Sequence, residues 1–395
     1  CTEAMFDTDW RRTCQPRFLK FCRSNGDEPL NETRFALRRH YRLLTQAYAY
    51  FSCISGDPFR MQNSEWVRFA TETKIASATS TSCRPSDIDA IFKLVNIPEK
   101  YREGGSGSGG VNVSDDPESD KAAFGRGEFL HGIVRLAQAK FATEIQFPIS
   151  NCVFRLCEEY IKPNVPMEVI CDDNIFRRDR MYNEQNDIFF QKYNALTAAM
   201  HKFYAVYRLS GKTLLKPEAW MSFRAFWAFL KDADFIDDFL TKREVVSIFV
   251  SSKMETVDET DVEKMECLSL TDFLEALTRL ADYLCFPPEG ELRVHLRDPD
   301  MEKPTTAYFL TVRRRPDRRL PRRPSAGRLG REQESKVSRP MPVKLEALFE
   351  VLIAQLCEAL NVGTPHNAQR LTEWFIRHHN TSSTSTLYMY DTTVG

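Results

Sequence analysis

The sequence predicts an all-α protein: two tandem four-helix modules followed by a short C-terminal helical segment. Three observations carry this expectation. Apolar residues recur at helical spacing over long stretches, only 16 of the 395 residues are glycine, and four blocks from the first half of the chain return in the same order in the second. A chain of this length exceeds the usual single domain, so more than one folded unit is expected.

The repeat places the elements. Tyr41, Leu44, Tyr48 and Phe51 match Tyr193, Leu196, Met200 and Phe203, a spacing that puts each set on one helical face. Trp66 and Phe69 match Trp220 and Phe223, Ile91-Phe92 match Ile248-Phe249, and the run from Glu128 to Ala137 matches the run from Asp272 to Ala281. After a lead segment (1–33), the first module (34–142) therefore carries helices over 34–54, 63–76, 85–96 and 125–142. A flexible loop (103–122) containing the glycine-serine run 104–110 interrupts it. A connector (143–186) holds one amphipathic helix, Ile149 to Ile161, ended by Pro163 and Pro166. The second module (187–286) carries helices over 187–210, 217–231, 241–253 and 269–284. Ser86 with Asp89, Thr241 with Glu244 and Ser269 with Asp272 have capping-box spacing, and Pro217 suits a first helical position. A Pro/Arg-rich stretch (287–342) reads as a disordered linker. The C-terminal helix pair (343–380) spans 343–360 and 368–379, and a Ser/Thr tail (381–395) reads as disordered.

Charge narrows the choice of partner. Fifty-four Lys plus Arg against 55 Asp plus Glu give a net charge of -1, which removes any whole-chain attraction to nucleic acid or anionic membrane. Eleven irregularly spaced cysteines without a C-x-x-C pair favour reduced thiols over a disulfide framework or a zinc site, and hence the cytoplasm. The sequons at Asn31, Asn112 and Asn380 are taken as chance, since no secretory segment precedes them. No apolar run is long enough to cross a bilayer.

Chemical motifs are weak throughout. Gly105-x-Gly107-x-x-Gly110 lies in a linker without the strand and helix that a dinucleotide fingerprint needs. Ser210 to Thr213 ends like a phosphate loop but lacks its first glycine. His378 and His379 are adjacent and do not share a helical face, and the acids Asp232, Asp234, Asp237 and Asp238 read as a solvated turn. The sequence therefore argues against an enzyme, with no cofactor or metal expected.

Two features point to partners instead. Around Trp220, the residues Phe223, Trp227 and Leu230 share one face, whereas Phe226 and Phe229 point elsewhere and offer a partner surface. From Arg313 to Arg331 the chain carries Arg313, Arg314, Arg315, Arg318, Arg319, Arg322, Arg323, Arg328 and Arg331 against the single acid Asp317. Intervening prolines hold these guanidinium groups on an extended segment suited to a diffuse polyanion, such as an acidic tubulin tail, RNA or a phosphoinositide surface. Ser325, in the run Arg322-Arg-Pro-Ser325, is a candidate phosphosite whose phosphate would weaken that binding.

The order of Trp66-x-x-Phe69, Ser86-Asp-Ile-Asp-Ala-Ile-Phe92 and Phe129-Leu-x-x-Ile-x-Arg-Leu-Ala137 resembles the core of the tubulin polymerization-promoting protein family. The paired helix-loop-helix units more broadly resemble degenerate EF-hand pairs. The likeness covers roughly 63–142 and, more weakly, 217–284. It implies a microtubule or axonemal role, in the cytoskeleton of a cilium or flagellum. The second copy departs from the Ser-Asp-Ile-Asp pattern at Lys242 to Val246, and the family's Gly-rich C-terminal tail is absent from the sequence. Neither 55–63, 210–216 nor 115–120 carries the oxygen ligands and glycine of a working calcium loop, so calcium binding is not expected. The favoured expectation is a non-enzymatic cytoskeletal interaction protein that binds tubulin or axonemal proteins. The alternatives are a calcium-sensor-like adaptor that clasps a partner helix and an RNA accessory factor working through the arginines.

Overall fold

The computed structural model describes residues 2–24, 30–53, 59–77, 83–96, 123–141, 148–165, 173–208, 218–237, 240–254, 266–284, 286–287, 289–297, 301–313 and 339–378. The fold is all-α: among the described residues the strands, of two to five residues, form one two-stranded and one three-stranded sheet. Among the described residues the chain divides after Cys171 into two compact units. No helix is long and apolar enough to cross a membrane among the described residues.

Unit 1 opens with α1 (Thr2–Thr13) and α2 (Pro16–Ser24). Its core module is α3 (Leu30–Ser52), β1 (Met61–Gln62), α4 (Asn63–Glu72), α5 (Pro85–Asn96), β2 (Ala123–Phe124) and α6 (Arg126–Lys140). These are two helix–strand–helix halves, joined where β1 pairs antiparallel with β2, Met61 opposite Phe124. α3 forms because apolar residues recur every third and fourth position, burying Leu37, Tyr41, Leu44, Tyr48 and Phe51 on one face. Trp66 is wholly buried, and its indole nitrogen donates to the Ile88 carbonyl at 3.1 Å. α7 (Ile149–Arg155) closes the unit across α3 and α6 and continues through a π-helical turn (Leu156–Ile161) into Lys162–Asn164. Pro163 does not end this helix as expected. It sits in the final turn, and the ladder widens ahead of it, where the missing proline amide breaks the regular bonding pattern.

Unit 2 repeats the plan. α8 (Asp173–Phe176) with a π-helical turn (Arg177–Met181) leads into α9 (Glu184–Lys192) and α10 (Asn194–Tyr204). The module continues with β3 (Val206–Arg208), β4 (Glu218–Ser222), α11 (Phe223–Asp232), α12 (Lys242–Ser252), β5 (Cys267–Leu268) and α13 (Leu270–Leu284). β4 lies between β3 and β5, with Met221 opposite Leu268. α14 (Glu289–Leu296), α15 (Pro304–Arg313), α16 (Met341–Ala359) and α17 (Ala368–His378) complete it.

The aromatic cores show that the repeat is structural. In unit 1, Trp66 stacks on Phe69 (5.6 Å, 24°), and Phe129 meets both rings edge-on at 5.9 and 5.5 Å. In unit 2, Phe226 stacks on Phe229 (6.2 Å, 26°), and Phe273 meets both edge-on at 6.5 and 5.4 Å. Phe51 on Phe69 and Tyr204 on Phe229 are both T-shaped contacts of 5.4 Å. The Tyr48 hydroxyl donates to the Phe124 carbonyl at 2.8 Å, and His201 Nε2 lies 3.1 Å from the Leu268 carbonyl. α4 and α11 end alike, with left-handed Lys74 (φ 60°) and Asp234 (φ 55°) returning amides to Thr71 and Lys231 at 3.0 Å.

Several expectations need correction. The second B helix does not span 217–231. Residues 218–222 form β4, and the helix starts at Phe223 behind a Ser222 cap whose Oγ accepts the Ala225 amide at 3.3 Å. The partner of Trp66 is therefore Phe226 rather than Trp220, and Tyr204 rather than Phe203 takes the place of Phe51. The Ser86–Asp89 box does not form. Helix α5 begins at Pro85, Asp87 caps the Arg84 amide at 2.8 Å, and Asp89 instead accepts from Asn63 and pairs with Lys93. The Thr241–Glu244 and Ser269–Asp272 boxes do form. The lead segment folds as α1 and α2, and within the expected disordered linker 289–296 and 304–313 are helical. The glycine-serine loop, 314–338 and the tail lie outside the described residues.

Candidate interaction surfaces

The partner surface assigned to Phe226 and Phe229 is overturned: both rings are fully buried in the unit 2 core. Trp220, on which the inward stripe was phased, lies in β4 rather than on the helix, so it does not mark the helix face that is buried. With the true start at Phe223, residues 225, 226, 229 and 230 face inward, while Trp220 and Trp227 are partly exposed. Arg313 is the last residue of α15; its side chain, and Arg314, Arg315, Arg318, Arg319, Arg322, Arg323, Ser325, Arg328 and Arg331, lie outside the described residues.

Of the remaining candidates, 210–213, Asp238 and His379 lie outside the described residues, and His378 and Asp232 take packing roles. His378 stacks on Trp374 at 4.2 Å, with Nδ1 2.8 Å from the Trp374 carbonyl, as a helix-end contact. Asp232 is not simply solvated: it accepts the Tyr204 hydroxyl at 2.8 Å, and burial raises its carboxyl above the usual range despite that bond. The acids Glu128 and Asp272, which begin α6 and α13, spend an oxygen on the Gly125 and Ser269 amides at 2.8 and 3.0 Å. Among the described residues no group of three or more His, Cys, Asp or Glu side chains converges on a metal position. Two open indentations, of about 310 Å³ beside Arg370 and Trp374 and about 480 Å³ beside Arg180 and Arg339, bring no hydroxyl or thiol nucleophile to a base.

What the structure builds instead is helix docking. In unit 1, α7 sets Phe154 against His40 at 5.2 Å, while Arg155 lies over Phe141 (4.3 Å) and Lys140 over Tyr160 (4.4 Å). In unit 2, α16 sets Phe349 between Phe189 and Tyr193 at 4.9 and 4.8 Å, and α17 packs Phe375 on Phe203 and Tyr204. α13 carries a buried ionic seam at helical spacing. Glu275 accepts from Arg177 Nε (2.8 Å) and Arg279 Nε (2.9 Å), and Asp282 accepts from Arg180 (2.9 Å) and from the fully buried Lys344 (2.7 Å). Arg177 also donates to the Ser251 and Lys253 carbonyls at 3.0 and 2.8 Å. Burial raises the Glu275 carboxyl, and its two arginines oppose that shift.

Arg177 therefore ties the segment before α9 to both α12 and α13. Arg177→Ala leaves Glu275 with one cation and two carbonyls without their donor, and should cost unit 2 about 3–5 kcal/mol. Arg177→Lys, which has one ammonium group and no fork, should recover only part of that loss. Denaturant unfolding of the two variants checks the ranking; equal stability of Arg177→Ala and the parent would contradict it. The spacing of Glu275, Arg279 and Asp282 was visible in the sequence, but nothing there revealed that this stripe is buried.

In unit 1 the corresponding place on α6 holds His131 and Arg135. Arg135 Nε donates to His131 Nε2 at 2.7 Å, which fixes the ring as a neutral acceptor. Burial, with Arg135 and Arg17 close by, holds the imidazole down to about 3.

Comparison with family models, characterised proteins and solved structures finds no match.

Proposed function

We propose that the chain is a non-enzymatic interaction protein of the cytoskeleton, whose two degenerate EF-hand-like modules hold partners through helix-docking faces on a microtubule or axonemal scaffold. The observation that carries the reading is the duplicated pair of helix–strand–helix halves, each unit carrying further helices docked on its outer faces. The cytoskeletal assignment rests on the resemblance of the Trp66, Ser86–Phe92 and Phe129–Ala137 blocks to the tubulin polymerization-promoting protein family. The nine arginines between Arg313 and Arg331 add a basic segment complementary to acidic tubulin tails, and raise affinity through effective concentration once a module is engaged.

Calcium plays no part in this reading, because the acids that begin α6 and α13 cap their own helices. Co-sedimentation with intact and with tail-trimmed microtubules tests the proposal. Binding should fall but persist on trimming, should weaken with salt, and should be the same with calcium or with a chelator. Absence from both pellets at low salt would exclude it.

The second reading is an adaptor that clasps a partner helix, and it is favoured by the docking of α7, α16 and α17 on the modules. A chain that fails to pellet with microtubules but binds an amphipathic helix would support it.

A further inference from the structure

Among the described residues unit 1 carries one helix, α1, that has no counterpart in unit 2, and the internal repeat makes this informative. Helix α1 lies across α3 and α6. Met5, Phe6 and Trp10 are buried, Phe6 meets Tyr41 edge-on at 5.0 Å, and Trp10 meets Phe18 at 5.7 Å. Between these rings Asp9, wholly buried, forms an ion pair with Arg126, whose Nε lies 2.9 Å from Oδ2, and accepts from Arg126 Nη2 on Oδ1 at 3.1 Å and from the Tyr41 hydroxyl on Oδ2 at 2.5 Å. Thr13 Oγ1 donates to the Gly127 carbonyl at 3.0 Å. Gly127 is the saddle that permits this approach: a Cβ there would lie 3.0 Å from Arg12 Cβ and 3.4 Å from the Asp9 carbonyl. Arg34 with Asp7 and Arg38 with Glu3 form the exposed rim.

Unit 2 has the rest of this arrangement. α8 stands where α2 stands, with Arg279 over Phe176 at 4.3 Å matching Arg135 over Phe21 at 4.2 Å. In the places of Arg126, Gly127 and Tyr41 it has Leu270, Thr271 and Asn194, and all three are exposed. The module of unit 2 thus closes its core without a counterpart of α1 among the described residues, whereas in unit 1 the surface formed by α3 and α6 takes Met5, Phe6 and Trp10 of α1 into the core. That surface has a recognition chemistry of its own, an Arg–Tyr pair that reads one carboxylate, flanked by an aromatic seat and a glycine saddle.

We propose that the α3–α6 face of unit 1 is a helix-binding site, that α1 is its resident ligand, and that it accepts in exchange a partner's amphipathic helix bearing the aromatic-x-x-acid-aromatic pattern of Phe6-x-x-Asp9-Trp10. The site deepens the interaction-module reading but does not depend on microtubule binding, so either can fail alone. Tethering gives α1 an effective concentration of the order of millimolar; a partner helix must outcompete it, and the site reports on partner abundance.

The test uses the full chain carrying Asp9→Lys, which sets a lysine against Arg126 and disengages α1. The probe is a fluorescent peptide of the parent sequence from Thr2 to Thr13, followed by anisotropy. The Asp9→Lys chain should bind it at least tenfold more tightly than the parent chain does. Adding Gly127→Val to that chain, or placing Asp9→Lys in the peptide, should each weaken binding at least tenfold. Equal binding by the parent and Asp9→Lys chains, or by the two peptides, would overturn the proposal. So would loss of amide protection throughout α3 to α6 in the Asp9→Lys chain, since the module would then need α1 in order to fold.

Discussion

Phe229→Ala is expected to destabilise unit 2 by about 3–5 kcal/mol. The ring is fully buried and touches Tyr204 at 5.4 Å, Phe273 at 5.4 Å and Phe226 at 6.2 Å, so its removal opens a cavity at the centre of the module. Trp227→Ala, two residues earlier on the same helix but partly exposed, should cost under about 1 kcal/mol. Because the chain has two units, a single unfolding transition is a poor measure. Amide exchange is better: Phe229→Ala should lower protection in α11 and α13 while leaving α4 and α6 unchanged. A larger loss from Trp227→Ala would restore the wheel that places Trp227 inside.

The second large effect is in pH. In the folded chain His131 stays neutral down to about 3, because burial and the nearby Arg135 and Arg17 disfavour its charged form. In the unfolded chain it titrates near 6.5. The contribution is therefore complete above about pH 6.5, where neither state is protonated, and is lost as pH falls towards 3, because the unfolded state binds the proton that the folded state refuses. The loss is about 1.4 kcal/mol per pH unit within that window, of the order of 3–5 kcal/mol in total. His131→Gln keeps an acceptor for Arg135 and has nothing to titrate, so the acid slope of unit 1 should flatten. His201 in unit 2 is also lowered by burial, so the measurement belongs to the amides of α3 and α6 rather than to the whole chain. An unchanged acid slope in His131→Gln would contradict the assignment.

The parts of the fold legible in the sequence are those where burial follows local periodicity. α5 and α12 began within a residue of expectation, and the match of Glu128–Ala137 to Asp272–Ala281 corresponds in space along the whole of α6 and α13. The second B helix failed because β4 is a tertiary product. Residues 218–222 are extended only because they pair with 206–208 and 267–268, and Trp220 supplied a misleading match to Trp66. Likewise, α1 looked like a lead segment because the residues that make it a helix-docking unit, Arg126, Gly127 and Tyr41, lie far away in the chain. Asp9 and Arg126 are each ordinary charged residues until the fold removes water from around both. The arginine segment shows the opposite case: its charge is plain in the sequence alone.

The most direct measurement of the central claim is co-sedimentation with assembled microtubules at physiological salt. It compares the parent chain with a variant in which the nine arginines from Arg313 to Arg331 are replaced by glutamine. The account predicts that the variant still pellets, with affinity reduced and salt dependence shallower, because recognition resides in the helical modules and the arginines add to it. A variant that stays wholly in the supernatant while the parent pellets would reduce the interaction to charge alone and contradict the account.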